Sequence, residues 1–337
     1  MAPSILGLDI GGANLKAATA DKRAVPVPFP LWKQPDALPA ALAALVAQFP
    51  DAEELAVTMT GELCDCFETK RDGVHAIIKA VRFASGGRPI RVWSTDGVFL
   101  NSEEAKANHM KVAAANWHAL ATFAGRYSED AGGLLIDIGS TTTDIIPLHY
   151  GVPYTSGRTD AARLQTRELV YLGVRRTPLC AVWRAQVCAE LFATTQDVYV
   201  TLGLLPEEPN NCDTADNRPS TTDYSLARLA RMLGGDCETL PSEMMIDFAV
   251  RIHRLILADL AEAVRLAYFD FWRDAPELRT VIVSGQGEFL AQQLIARVPG
   301  IDRTTPQFTS LANELGPAVS ACAPAYAVAV LAAERRA

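Results

Sequence analysis

Long apolar runs are missing from this sequence. No stretch of the 337 residues reaches the roughly 18 apolar residues of a membrane span, so no spanning helix is expected. Basic residues are also short: 31 Lys and Arg stand against 39 Asp and Glu, a formal net charge of −8 with a pI near 5.2. That balance excludes a general binder of nucleic acid or anionic membrane, which needs a basic surface, but it leaves room for a local basic pocket. His75, His109 and His118 show no metal-ligand spacing. The seven cysteines, an odd number, outline no disulfide framework, and Cys64-x-Cys66 has the wrong spacing for a usual zinc knuckle. Reduced thiols in a cytoplasmic protein are the simpler expectation. Met1–Ser4 lacks the basic segment of a signal peptide, which points the same way. Cys180 and Cys188 lie in an apolar, helix-like run and read as core; Cys212 and Cys237 read as exposed.

What is present is ample core material: 49% hydrophobic residues and a mean hydropathy of +0.10, enough for one large or two medium domains. The chain is organised around Gly132–Leu148, GGLLIDIGSTTTDIIPL. An apolar strand ends at Asp137, a turn follows with Gly139 and the hydroxyls of Ser140, Thr141 and Thr142, and a second strand begins near Asp144. Glycine lets such a turn approach a ligand closely, and hydroxyls and turn amides can donate to anionic oxygens. A carboxylate at the strand end can hold a hard cation. Ile5–Thr19, ILGLDIGGANLKAAT, repeats the design with Asp9, Gly11, Gly12, Asn14 and Lys16. One such hairpin is weak evidence; two, a domain apart, predict a phosphate-binding cleft.

Between and after the hairpins the pattern alternates. Val25–Phe29 reads as an edge strand, Asp36–Phe49 as a helix capped by Asp36, and Glu54–Thr60 as a buried strand leading into Gly61 and Glu62. An amphipathic helix over 65–83, broken at Gly73, precedes strand Ile90–Trp93 and an exit turn with Asp96. Lys111–Tyr127 reads as a helix, 161–194 as a helical section, and 205–222 as a mobile loop or lid. Helices are expected over 223–233 (cap Asp223), 242–272 (cap Ser242), 289–297 and 318–335. Strand Thr280–Ser284 runs into the glycine turn Gly285-Gln286-Gly287-Glu288. The fold class is α/β, and Asp9, Glu62, Asp96, Asp137 and Gly285 fall at carboxyl ends of strands, where such sheets bind ligands.

Two D-I-G hairpins with a late V-I-V-S-G-Q-G-E turn resemble the actin-like ATPase superfamily of actin, heat-shock chaperones and sugar kinases. The segments T-M-T-G-E-L-C-D-C-F (58–67), A-A-A-N-W-H-A-L-A (113–121) and R-E-L-V-Y-L-G-V-R-R-T-P-L (167–179) resemble its hydantoinase A/oxoprolinase-like branch, and within it proteins tied to methanopterin-linked one-carbon transfer. The resemblance implies two ribonuclease H-like lobes around a cleft: 1–129 joined by a C-terminal helix 319–337, and 130–318 carrying the 205–222 insertion. It implies hairpins that hold phosphates and Mg2+, with Asp9 and Asp137 near the metal, and a turn at Gly285 and Gly287 that packs on a nucleoside where ATP is used. Archaeal members join a furan-methyl diphosphate to the phenol of glutamyl-tyramine and release diphosphate in methanofuran biosynthesis; methylotrophic bacteria have counterparts for an analogue.

For that reaction Gly11, Gly12 and Gly139–Thr142 suit the leaving diphosphate, and Lys16 can add positive charge or be a plain edge lysine. Glu62 is the first candidate to take the phenol proton and Asp96 the second; each could equally be a turn carboxylate. Asn116 and Trp117 are candidate acceptor-pocket residues, and Arg163, Arg167, Arg175 and Arg176 a candidate basic patch. The expected partners are a small-molecule diphosphate and a phenol, with a homodimer as an option. An ATP-using kinase or ring-opening hydrolase of the same fold would need room for adenine over Ser284–Glu288, which the transferase reading expects to be small or filled. A non-catalytic nucleotide-binding scaffold is the third reading.

Overall fold

The computed structural model describes residues 4–270, 276–299, 301 and 305–335. Its first sheet holds β1 (Ile5–Ile10), β2 (Asn14–Thr19), β3 (Ala24–Pro28), β4 (Glu54–Met59), β5 (Ile90–Trp93) and β6 (Phe99–Leu100), ordered β3-β2-β1-β4-β5-β6. The proline-rich β3 is at the edge, where missing amide donors cost nothing. The second sheet holds β7 (Gly132–Ile138), β8 (Thr143–His149), β9 (Val152–Pro153), β10 (Leu169–Val170), β11 (Leu278–Ser284) and β12 (Gln307–Ser310). Its main path is β10-β8-β7-β11-β12, with β9 paired to β8. In each sheet an antiparallel hairpin, β1–β2 or β7–β8, is extended by a parallel strand, β4 or β11.

Alternation along the strands decides what faces what. Leu6, Leu8 and Ile10 point to helices Leu38–Val46 and Lys70–Ala84, while Leu134, Ile136 and Ile138 point to helix Ser242–Val264. The other face of each sheet turns inward: Ile5 and Ala56 from the first, and Leu135, Ile146 and Ile282 from the second, share one cluster. Helices Asn116–Ala124 and Ala323–Glu334 fill that shared layer. The Ala-rich final helix can lie close to β1 because Gly7 has no side chain; a Cβ there would overlap the Ala325 carbonyl oxygen.

Several local expectations shift. Thr69, not Asp65, starts the second helix by accepting from the Asp72 amide, and the helix passes unbroken through Gly73, which makes room for the Glu62 backbone. The expected helix over 111–127 is interrupted, with Ala114 held at φ +48°. The 161–194 section forms only the short helices Asp160–Gln165 and Leu179–Val182, and Cys180 and Cys188 are half-buried rather than core. Asp36, Asp223 and Ser242 are not caps: the first two lie inside or beside first turns begun after Gln34 and Thr221, and Pro241 precedes the third helix. That third helix gives way to a π-helical turn at Arg265–Asp270, and Trp272 lies outside the described residues. The final helix is split into Pro317–Ser320 and Ala323–Glu334.

Loop 205–222 is not built as a lid. Fully buried Arg228 binds Asp197 at 2.7 Å and Asp216 at 2.8 Å, Arg231 adds a second contact to Asp216, and Glu208 pairs with Arg175 at 2.7 Å. Opening the loop would take Asp216 from Arg228, which would keep only Asp197 as a carboxylate partner, and Glu208 from Arg175.

Gly7→Ala tests the packing of the final helix. It should lower stability in urea denaturation by about 1–3 kcal/mol, the usual cost of overpacking; an unchanged midpoint would mean the helix is not seated on β1.

Candidate active site

The two hairpin turns are built alike. The Gly11 amide donates to the Asn14 carbonyl at 3.0 Å, and the Gly139 amide donates to the Thr142 carbonyl at 2.8 Å. Outer carbonyls of both turns are already engaged by neighbouring chain: Leu31 donates to Gly12, Val174 to Gly139, and Arg175 and Arg176 to Ser140. Gly173 packs so closely on Ser140-Thr141 that a Cβ would overlap the peptide. The turns are therefore braced from behind, while Gly139, Ser140, Thr141 and Thr142 remain partly exposed.

Asp9 and Asp137 occupy matching positions, each on the inward face of its sheet by strand alternation. Asp9 is buried, its Oδ1 has no hydrogen-bond partner, and burial pushes its pKa up while Lys16 pulls it down. Lys16 lies directly across the ladder from Asp9. Asp137 keeps some exposed surface, yet packing raises its pKa to about 7, with Asp144 adding to the rise and Lys16 and a Ser284 hydrogen bond opposing it. One lysine of the first sheet thus acts on a carboxylate in each sheet. Asn14 is on the same strand face as Lys16.

Five neighbours were given no role in the sequence reading. Thr58, paired with Asp9 in register, has a buried hydroxyl without a partner. Ser284, paired with Asp137, donates to it. Asp144, opposite Asp137, is held by Arg163 at 2.9 Å. Lys70 and Asp160 pair at 2.9 Å beside Glu62. The available signal was hairpin register: a seven-residue offset across each turn puts Lys16 and Asp144 opposite the carboxylates.

Glu62 is 1% exposed, and neither carboxylate oxygen meets a well-aligned donor. Burial raises its pKa to about 7; its own amide, Lys70 and the Ala114 amide oppose the rise, and Asp160 adds to it. Ala114 makes that approach from its left-handed conformation. Asp96 is different. It lies at the surface between Lys111 at 2.6 Å and Arg158 at 3.0 Å, which hold its carboxyl below the usual range. Such a pair suits a surface link between the halves better than a proton acceptor. Of the two readings of the four arginines, a ligand-facing patch or ordinary pairing with acids, the structure shows pairing for three: Arg163, buried over the Trp117 ring at 4.0 Å, pairs with Asp144, Arg167 with Asp259 and Arg175 with Glu208, while Arg176 stacks on Trp32. Asn116 opens the helix whose next residue is that Trp117.

Gly285 and Gly287 press against the second hairpin, with Gly287 donating to the Ile138 carbonyl at 2.9 Å. A Cβ at Gly285 would overlap Ile138, and one at Gly287 would overlap the Ile138 side chain. The outer side of the turn is not filled as expected: a cavity of about 390 Å³ opens there. Among the described residues no group of three or more His, Cys, Asp or Glu side chains could hold a metal ion alone, and no helix is long and apolar enough to cross a membrane.

Residues 53–326 match the family pattern described as hydantoinase/oxoprolinase. The chain belongs to that family. Among curated proteins it is 34% identical, over 339 residues and 97% of each chain, to the (4-{4-[2-(gamma-L-glutamylamino)ethyl]phenoxymethyl}furan-2-yl)methanamine synthase of Methanocaldococcus jannaschii. The protein of the same description from Methanococcus vannielii is 28% identical over 210 residues, 60% of this chain and 91% of that one. Among solved structures, a nucleotide-free acetone carboxylase aligns with a TM-score of 0.54 at 12% identity, covering 96% of this chain and 70% of that one. This hydantoinase/oxoprolinase chain has the two-lobed actin-like ATPase fold, with one glycine hairpin from each sheet.

The raised pKa of Glu62 makes stability fall with pH. Below its ordinary value of 4.5 both folded and unfolded chains hold the proton; between 4.5 and about 7 only the folded chain does, so stability is lost until the folded group titrates. Glu62→Gln should abolish that loss. In urea titrations at several pH values it should draw ahead of wild type from pH 4.5 upward and level off above 7, by about 3 kcal/mol. Parallel curves would place Glu62 in solvent.

Proposed function

We propose that this chain is a transferase of the same kind as its Methanocaldococcus jannaschii relative, a synthase of methanofuran or a close analogue in methanopterin-linked one-carbon metabolism. It joins a furan-methyl diphosphate to the phenol of a glutamyl-tyramine-type acceptor. The phenol oxygen bonds to the furan methylene carbon, the carbon–oxygen bond to diphosphate breaks, and the diphosphate leaves with the electron pair. The observation that carries this reading is the shared Lys16 between Asp9 and Asp137, on a chain matched end to end by that synthase.

In this reading Gly11, Gly12, Asn14 and Gly139–Thr142 cradle the diphosphate, and Lys16 offsets its charge. The bare Asp9 Oδ1, the partnerless Thr58 hydroxyl and the partly open Asp137 fit a magnesium ion carried in on the diphosphate, since Mg2+ commonly takes one or two carboxylates plus phosphate oxygens. Mg2+ would neutralise charge on the diphosphate. Glu62 receives the phenol proton; a carboxylate near neutrality is better matched to that task than the ion-paired Asp96. Removing water from the closed site protects the furfuryl centre from hydrolysis. In this reading the first lobe is residues 1–129 joined by the C-terminal segment 319–337, whose described helix is Ala323–Glu334, the second is 130–318, and the enzyme works in the cytoplasm on small molecules.

The open cavity beside Ser284–Glu288 favours one other reading, an ATP-using kinase or hydrolase of the family. Offering the purified protein ATP and, separately, a furan-methyl diphosphate with tyramine derivatives, with products read by mass spectrometry, separates the two. Ether and diphosphate are expected; consumption of ATP alone would reverse the assignment. Asp9→Asn and Asp137→Asn should each cut ether formation more than a hundredfold with the circular dichroism spectrum unchanged. Wild-type rates in either would remove the hairpins from the reaction. Glu62→Gln should slow product formation while leaving diphosphate affinity as it was; a fall in affinity would make it a positioning group.

A further inference from the structure

The cavity of about 390 Å³ at the end of β11 is lined by Glu288, Phe289, Gln292, Phe308, Ser310 and Asn313, among others. Its lining is mostly polar, with the rings of Phe289 and the surface-exposed Phe308 as its aromatic part. Phe289 is fixed from behind by Tyr199, edge to face at 5.3 Å. Lys, Arg and His are absent from its described lining, so it has no cation for a phosphate. Its one charged group is Glu288, held in place by the Ser310 hydroxyl at 2.5 Å and the Ala312 amide at 3.1 Å. A carboxylate has about four acceptor sites, so these two donors leave acceptor capacity free. The cavity is next to the second hairpin: Gly287 binds the Ile138 carbonyl, and Glu288 is near enough to raise the pKa of Asp137.

We propose that this cavity binds the cationic end of the furan substrate, a primary ammonium on a small aromatic ring, with Glu288 pairing to the ammonium and Phe289 and Phe308 packing the ring. This rests on the synthase reading, in which the relative's product is a furan-2-yl methanamine. Such a donor carries opposite charges at its two ends. The site has the opposite polarity, with Lys16, turn amides and hydroxyls at the hairpins and a carboxylate in an aromatic cavity beside them. A partly desolvated ammonium needs a charged acceptor, and aromatic faces add a favourable cation–π contact. Glu288 is then a specificity residue: it selects the aminomethyl furan over furans without the amine.

The test uses 2-furanylmethanamine and, as the uncharged control, 2-methylfuran, with affinities from NMR titration of the whole protein. Wild type should bind the amine at least tenfold more tightly, with ring protons close to Phe289 and Phe308. Glu288→Gln should erase the preference, and Gln292→Lys, a change at an exposed helix position, should weaken the amine several-fold. Unchanged amine affinity in both variants, or tighter binding of adenosine than of the amine at Phe289 and Phe308, would overturn the proposal. Turnover separates it from the synthase reading. Amine binding without any ether product would sink the synthase and leave the pocket standing. Ether formation by Glu288→Gln with an unchanged KM for the aminomethyl donor would sink the pocket and leave the synthase standing.

Discussion

A single lysine charge compensates two carboxylates that packing has withdrawn from water. Asp9 and Asp137 belong to different sheets, and both have pKa values raised by burial and lowered by Lys16. Burial disfavours the charged form of each, and Asp144 and Glu288 add like-charge repulsion at Asp137, so positive charge nearby is what favours their ionisation. Lys16 supplies part of it. An incoming cation bound to diphosphate would supply more, and Asp9 Oδ1, still without a hydrogen bond, has capacity for it.

The surrounding structure holds the two sheets against one shared layer. Helices Asn116–Ala124 and Ala323–Glu334 are shared by both sheets, and Gly7 lets the second of them rest on β1 itself. Arg163, buried against Trp117 and paired with Asp144, ties the inner helix layer to the second hairpin. Lys70–Asp160, Asp96–Arg158 and the stack of Arg176 on Trp32 join the first half of the chain to the 158–176 segment. These links locate Glu62 beside the mouth, with Gly73 and the left-handed Ala114 conforming to its backbone and carboxylate. Burial there raises the pKa of Glu62 to about 7, which is the property the proposed proton transfer needs.

The hairpins were legible because everything they need is local. Strand, glycine and hydroxyl run are contiguous, and the closing bonds Gly11 to Asn14 and Gly139 to Thr142 span three residues. Their repetition announced two similar halves, and the late glycine turn marked the strand that completes the second. Helix limits were less legible. The second helix starts at its Thr69 cap rather than at residue 65, and Gly73 was read as a break when it is a point of contact. The polar loop 205–222 looked mobile because its anchors, Arg228 and Arg175, come from elsewhere in the chain.

By itself, then, the order of residues determined the turns, the strands and the pair of acids at their ends, since backbone geometry and side-chain alternation act over a few residues. Which of those acids lose their solvent was decided only in three dimensions. Glu62 and Asp96 look alike as strand-exit carboxylates, yet one loses its solvent and the other gains Lys111 and Arg158. Burial and electrostatic fields depend on distance through space, and the groups that impose them here are brought together only when the two sheets close on their common layer of helices.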